Sequence, residues 1–403
     1  MNDRPLMPNP DWAKLPLFDR KGWKRVRFGD VVENLNETER DPAAAGIERF
    51  IAMEHLEPGS LHIREWGNVA DGTTFNRRCR PGQVLFGKRR AYQRKVAVAE
   101  FDAVVSGDIY VFAPKGNRLL PELLPFLCTS EQFFNFAVET SAGSLSPRTN
   151  WSSLAGFEFD LPPLAQQRRI AEMLRAVNEV DSSYCRTVNA AKEAANRTVD
   201  SISSYSNTSC VPLKDLIVSG PQNGLYRPGT DYGSGKAILR IDSFYDGCIR
   251  KDIELKRVMV EPEIAERYSL EVDDVLINRV NSIEFVGKCA LVGSLEEQTL
   301  FESNIMRMRV DAERIDPRLM IRWMCRETFR KHIIGRAKQA VNQASVNQDD
   351  LRSAPIPVPP MAVQAVILKS ILKLEAAASA AAQARRNCEA LRRTILDGIL
   401  PIS

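Results

Sequence analysis

Two stretches of the chain repeat apolar residues every seven positions. Ile170, Val177, Tyr184, Ala191 and Thr198 form one series, widened by Met173, Val180, Val188 and Ile202. Ile367, Leu374, Ala381, Cys388 and Ile395 form the other, widened by Leu368, Ile371, Ala377, Ala384 and Leu391. Such a repeat draws an apolar stripe along an α-helix. Pro162-Pro163 and Pro359-Pro360 precede the runs, at helix entry, where proline's missing amide costs nothing. The pattern predicts helices over 164–205 and 361–400, each a rod of about 60 Å at 1.5 Å per residue. Each is too long for one small core and too weakly apolar to stand alone. The alanine-rich EAAASAAAQA (375–384) would let another backbone approach closely. The two helices are therefore expected to pack on each other as an antiparallel coiled coil; two separate surface helices are the alternative.

Between and before the helices the pattern shortens. VLFG, KVAVAEF, DIYVFAP, AILRI, VLIN and KCALVG read as strands separated by turn residues. One helix is expected in each globular part, over 122–139 and 317–335. The chain also repeats itself. FDLPPLAQQRRI (159–170) returns as IPVPPMAVQAVI (356–367), and at the same offset Asn150 falls on Asn347, Leu154 on Leu351 and Cys128 on Cys325. GQVLFGKR (82–89) resembles DDVLINRV (273–280), and WKRVRFGDVV (23–32) resembles SCVPLKDLIV (209–218). The expected fold is α+β: a tandem duplication of an α/β globule followed by a long helix. The expected boundaries are an N-terminal arm (1–21), a first globule (22–162), a central helix (163–205), a second globule (206–360) and a C-terminal helix (361–403).

Composition narrows the class. With 403 residues, 44% hydrophobic and 26% charged, there is ample core material and no sign of wholesale disorder. No run approaches eighteen apolar residues, so no helical membrane span is expected. MNDRPLMPNPDWAKL lacks the organisation of a secretory signal, and the eight cysteines include no CxxC. Reduced thiols in a cytoplasmic protein are expected. The three histidines form no ligand-type pair, so no metal site is expected. The net charge of only +4 carries no argument for a polyanionic partner; local patches must.

Catalytic signatures are missing. TDYGSGKA has Thr230 and Ala237 where a phosphate loop needs glycine and a hydroxyl. LPPL and VPPM are not the [DNS]PP[YF] loop of an adenine methyltransferase, and neither GxSxG nor HExxH occurs. The best enzymatic candidate is a metal-dependent nuclease set, Asp242 or Asp246 with Glu254 and Lys256. Such acidic-x-Lys strings are common on solvated strand faces.

Binding signals are stronger. No acid occurs between Gly72 and Ala99, while Arg77, Arg78, Arg80, Lys88, Arg89, Arg90, Arg94 and Lys95 do, with Tyr92 among them. Cations without counter-charge suit a polyanion, and arginine forks reach guanine edges. Arg318, Arg322, Arg326 and Arg330 recur every four residues, followed by Lys331, Arg336 and Lys338. KQAVNQASVNQ (338–348) supplies Lys338, Gln339, Asn342, Gln343 and Asn347, side chains of the kind that read adenine edges. Its counterpart SAGSLSPRTNW supplies Ser146, Arg148 and Asn150. Arg240, Asn278, Arg279 and Asn281 complete the candidate DNA contacts in the second copy.

Together, Gly29-Asp30-Val31, GQVLFGKRR, SAGSLSPRTNW and FEFDLPPLAQQRRIAEML, with KDLI, DDVLINR, QASVNQDDL and PIPVPPMAVQAVI in the second copy, resemble the specificity subunit of type I restriction-modification systems. The resemblance covers about 22–403. It implies two target recognition domains, each reading half of a bipartite, asymmetric site in double-stranded DNA. The paired helices would set a gap of roughly one helical turn between the halves. It also implies a non-catalytic chain with no cofactor of its own. Two methyltransferase subunits would use S-adenosylmethionine, and two restriction subunits, where present, would use ATP and Mg. Val363-Gln364-Ala365-Val366 departs from Gln167-Arg168-Arg169 by lacking arginines. A nuclease around Asp246, Glu254 and Lys256, or a coiled-coil protein scaffold, are the competing readings.

Overall fold

A computed structural model describes residues 19–341 and 343–400. Most of the expected N-terminal arm (1–21), Asn342 and residues 401–403 lie outside the described residues. The chain forms two compact units, Met1–Arg186 with Ala381–Ser403, and Thr187–Ala380.

In the first unit there are two four-stranded sheets, and the three predicted strands VLFG, KVAVAEF and DIYVFAP all fall in one of them. One is antiparallel throughout, in the order Val32–Leu35, Ile109–Pro114, Val84–Gly87, Val96–Val98. The other runs Gly67–Asn68, Arg49–Ile51, Ala103–Val105, Arg77–Cys79, with its central pair parallel. The core is aromatic. Phe28 lies 4.7 Å from Phe133 and 5.5 Å from Phe112 between ring centroids, and Phe86 stacks on Phe112 at 5.7 Å. Gly29 lets the backbone come close, because a Cβ there would sit 2.7 Å from that of Ala155, whose carbonyl accepts the Gly29 amide.

The second unit holds a six-stranded sheet, with Ile217–Asn223, Ile305–Val310, Val275–Asn278 and Cys289–Leu291 leading to the short pair Gly247–Ile249 and Phe244–Tyr245. Beside it Tyr232–Leu239 pairs in parallel with Thr299–Phe301 and antiparallel with Lys256–Val258. Its core is aliphatic and methionine-rich, with Met306, Met308, Leu319, Met320 and Trp323 buried.

Both units close with the same device. Lys24–Arg27 pairs antiparallel with Glu158–Leu161, which runs into Pro162-Pro163; Ser209–Pro212 pairs with Pro355–Val358, which runs into Pro359-Pro360. One turn into each helix lies a buried glutamine. Gln167 Nε2 donates to the Arg118 and Pro162 carbonyls while its Oε1 accepts from the Leu120 amide, all at 2.8–2.9 Å. Gln364 Nε2 donates to the Arg314 and Pro359 carbonyls while its Oε1 accepts from the Asp316 amide, at 2.8–2.9 Å. An amide able to donate twice and accept is what a site with two carbonyls and one N–H requires.

The long helices are observed as Leu164–Asp200 and Met361–Ile399. In the first unit Ile170, Ala171 and Leu174 share a core with Ile395, Leu396, Ile399 and Leu400, and Arg385 Nε meets Asp181 Oδ1 at 3.0 Å. In the second, Ala195, Val199 and Ile202 share a core with Ile367 and Ile371. The expected stripe was partly misdrawn: Met173 and Val180 are 37% and 46% exposed. The buried face steps from Gln167 to Ala171 and from Ile170 to Leu174, the i+4 choice that a 3.6-residue turn offers beside i+3. Both expected middle helices are broken in two, Leu124–Cys128 with Glu131–Glu139 and Pro317–Met324 with Glu327–Ile334. In the first, Ser130 accepts from the Phe133 amide and caps a new start.

Candidate nucleic-acid interface

Segments far apart in sequence are joined by one backbone frame in each unit. After Val84–Gly87, the Gly87 amide donates to Lys95 O and closes a loop over 88–94. That loop is held from both sides: Lys88 N donates to Asp108 O, Thr149 N to Lys88 O and Arg90 N to Pro147 O, with Arg89 bridged to Arg148. In the second unit Asn278 N donates to Lys288 O, Arg279 N to Asn304 O and Val346 N to Arg279 O, and Val280 pairs with Ser345. GKRR and SLSPR, and likewise INRVN with Lys338–Ala340 and Gln343–Ser345, are thus brought onto one surface.

The side chains on this frame differ. In the first unit Asp108 holds two guanidiniums, Arg148 Nε at 2.9 Å and Arg89 at 3.5 Å, and Arg89 Nε also donates to Ser146 Oγ at 2.6 Å. Burial alone would raise the Asp108 carboxyl, but Arg148, Arg89 and Lys88 outweigh it and hold it below the ordinary carboxylate range. Lys88 lies over the Tyr110 ring at 5.0 Å and is itself lowered by burial. Arg90 is left-handed (φ 53°), and its buried Nε has no partner. Tyr92 is exposed. In the second unit the counterparts of Arg89, Asp108 and Arg148 on these bonds are Val280, Asn304 and Ser345, all uncharged, while Arg279 stands in the place of Lys88.

The cation run is not without counter-charge, contrary to expectation. Arg78 pairs with Asp102, Arg80 with Glu37 and Arg94 with Glu131. Arg77 donates to the Ile109 carbonyl and Lys95 to the Met53 carbonyl. The acids come from other segments of the fold, Glu131 from a helix, which a sequence window cannot see. The four-residue arginine spacing is likewise no free stripe. Arg318 pairs with Asp316, Arg322 with Glu375, Arg326 with Asp200, and Arg330 donates to the Glu284 carbonyl, and the helix breaks at Cys325–Arg326.

Several candidates have structural work. Asn278 is fully buried and donates to the Ile241 carbonyl, so its side chain cannot reach a ligand. Arg240 pairs with the buried Glu302 at 3.1 Å. Arg279 donates to the Ser303 carbonyl, and Asn281 accepts from the Ser282 amide. Asn150 and Asn347 both cap short helices, accepting from Ser153 N and from Asp349 and Asp350 N. Lys338, Gln339 and Gln343 stand exposed on the hairpin. One group was missed in the sequence: Lys288 Nζ sits 4.0 Å from the centroids of both Tyr245 and Phe285, rings that are themselves exposed. Among the described residues no group of three or more acids, cysteines or histidines could hold a metal ion, and Asp242, Asp246 and Glu254 form no such group.

Residues 20–183, which contain the whole first frame, match the family model described as the type I restriction modification DNA specificity domain. That stretch is similar to a type I DNA specificity domain. A stretch of 160 residues is 32% identical to a putative type I restriction enzyme MjaX specificity subunit from Methanocaldococcus jannaschii, covering 39% of this chain and 37% of that one. The EcoKI specificity subunit of Escherichia coli is 25% identical over 280 residues, 64% of this chain and 60% of the relative. Each match spans less than two thirds of the relative's length. In fold, the chain is similar to a structure described as showing complex assembly and conformational transition of the type I R-M system (TM-score 0.58, 18% identity, 93% and 97% covered). It is also similar to the type I restriction-modification S subunit from M. genitalium (TM-score 0.55, 10% identity, 95% and 97% covered). The second frame lies beyond the matched specificity domain, yet carries the same backbone bonds. No helix among the described residues is long and apolar enough to cross a membrane.

Proposed function

We propose that the chain is the DNA sequence-specificity subunit of a type I restriction-modification complex, in which each unit reads one half of a bipartite, asymmetric site. The observation that carries this reading is the frame that recurs in both units with different side chains on it, one copy lying inside the matched specificity domain. A reader of two unlike half-sites needs one scaffold and two chemistries. Phosphate contacts would fix register, and Arg89, Arg148, Gln339 and Gln343 would supply base-edge contacts. The globules are a tandem duplication in this reading, and the long helices pair antiparallel as a coiled coil that sets the gap between half-sites. Ile170 with Ile395, and Ile202 with Ile367, share cores in the order such a pairing requires.

In this reading the chain is non-catalytic and acts in the cytoplasm. Two methyltransferase subunits bring S-adenosylmethionine, and restriction subunits bring ATP and Mg. The test is a genome-wide map of N6-methyladenine in the host with and without the gene. Loss of methylation at one bipartite motif is expected, and it reveals both half-sites. Survival of every motif would overturn the reading and leave a protein scaffold, which predicts no salt-dependent DNA affinity.

A further inference from the structure

In each unit the loop on the central strand is zipped to the second arm of a hairpin, and the hairpin tips share a property that their sequences do not. In the first unit Ala142 and Arg148 exchange two backbone hydrogen bonds of 3.0 Å, and Leu145 lies midway around the intervening turn. In the second, Lys338–Ala340 pairs with Gln343–Ser345, and Val341 follows the last pair, Ala340 with Gln343. Leu145 is 91% exposed and Val341 92%. They are the two most exposed large hydrophobic residues among those described, the next being Tyr226 at 77%. Single exposed apolar residues need no explanation. That the two extremes occupy corresponding tips, one in SAGSLSPR and one in KQAVNQAS, does.

The mounting is rigid. Arg148 bridges Arg89 and Ser345 pairs with Val280, so each tip is tied through its second arm to the strand end that carries the candidate base contacts. The same turn and loop carry Ser146, Arg148 and Arg89: Asp108 pairs with both guanidiniums, and Arg89 Nε donates to Ser146 Oγ. Around Val341 stand the exposed Lys338, Gln339 and Gln343. An aliphatic tip with polar and cationic shoulders fits a DNA stack: the shoulders meet phosphates and base edges, and the tip enters between base pairs, where apolar wedges unstack a step and bend the duplex.

We propose that Leu145 and Val341 are wedge residues, each inserting its side chain at one base step of the half-site read by its own unit. This rests on the DNA-reading function proposed above. The test uses the intact chain in its native methyltransferase complex. The probes are duplexes carrying the motif from the methylation map, with 2-aminopurine placed in turn at positions other than the methylated adenine. The wild-type complex is expected to raise fluorescence at one step in each half-site. Leu145→Ala should abolish the signal in one half only, Val341→Ala in the other, each with a loss of affinity on the order of tenfold. Leu145→Met should restore both. Because both side chains are almost wholly exposed, thermal unfolding should not change. The proposal is overturned if both alanine variants keep the wild-type signals and affinity. It is equally overturned if affinity falls while no step unstacks, which would make the tips groove contacts. A wild-type complex that binds no motif at all would instead bring down the DNA-reading function itself.

Discussion

At the mouth of the first unit's loop, Asp108 draws Arg89 and Arg148 into one charged group; in the second unit the corresponding backbone bonds are flanked by Val280, Asn304 and Ser345. Lys95 and Lys288 make the same contrast. Their carbonyls accept equivalent amides, from Gly87 and Asn278, but the Lys95 ammonium is fixed on the Met53 carbonyl while that of Lys288 lies between two exposed rings. Backbone groups cannot be left unpaired in a packed unit, so the frame is tightly constrained. Side chains that project from it are free to differ. Specificity in such a scaffold is changed by replacing projections, at little cost to the fold.

The comparison is tested hardest where the two units agree. Replacing Gln167 by Leu leaves the Leu120 amide and two carbonyls buried without their partner, and Gln364→Leu does the same to the Asp316 amide and its pair. At about 1 kcal/mol or more for each orphaned group, either change should cost about 3 kcal/mol. Urea unfolding of the whole chain measures it. A large loss from one replacement and none from the other would break the equivalence of the two helix entries.

Where the units differ, the effect should fall on reading rather than stability. Asp108→Asn installs the residue found at position 304 and releases Arg89 and Arg148 from their shared carboxylate. The backbone bond from Lys88 to residue 108 remains. Discrimination within the first half-site should relax by about tenfold, the scale of one lost bidentate contact, with the second unchanged; methylation mapping of the variant reads both. The variant also has a pH signature. Because the folded Asp108 carboxyl is held below its unfolded value of about 3.9, its stabilisation is complete above that pH and lost as pH falls through the folded value. Acid unfolding of Asp108→Asn should lack that component.

The long helices, the strands and the offset between copies were legible because each is written in local periodicity. The PP-x-x-x-Gln entry was visible as a repeat, but its reason, three backbone groups to satisfy, needed the 118–120 and 314–316 segments in place. The charge run misled because Glu37, Asp102, Asp108 and Glu131 reach it only through the fold. The arginine series from 318 misled for a related reason, since one helix break interrupts it and Glu375 and Asp200 reach Arg322 and Arg326 only through the fold. Tyr245, Phe285 and Lys288 left no local signal: the hairpin carrying Tyr245 lies far along the chain from the loop that carries the other two.

Asn150 and Asn347 give the finest test. They recur at one offset and looked like base readers, yet both side chains accept amides at helix starts. Asn347 accepts two amides, from Asp349 and Asp350, and the Asp350 carboxylate accepts from the Asn347 amide, while Asn150 accepts one amide, from Ser153, beside the Ser152 hydroxyl. Asn347→Ala should therefore cost about 1 kcal/mol and Asn150→Ala about half that. Asp in place of either should restore most of the loss, since a carboxylate caps as well as an amide oxygen. A base reader behaves otherwise. If Asn150→Asp keeps the thermal midpoint but erases methylation at one half-site, the amide nitrogen left free by the cap is reading DNA, and the residue serves both purposes.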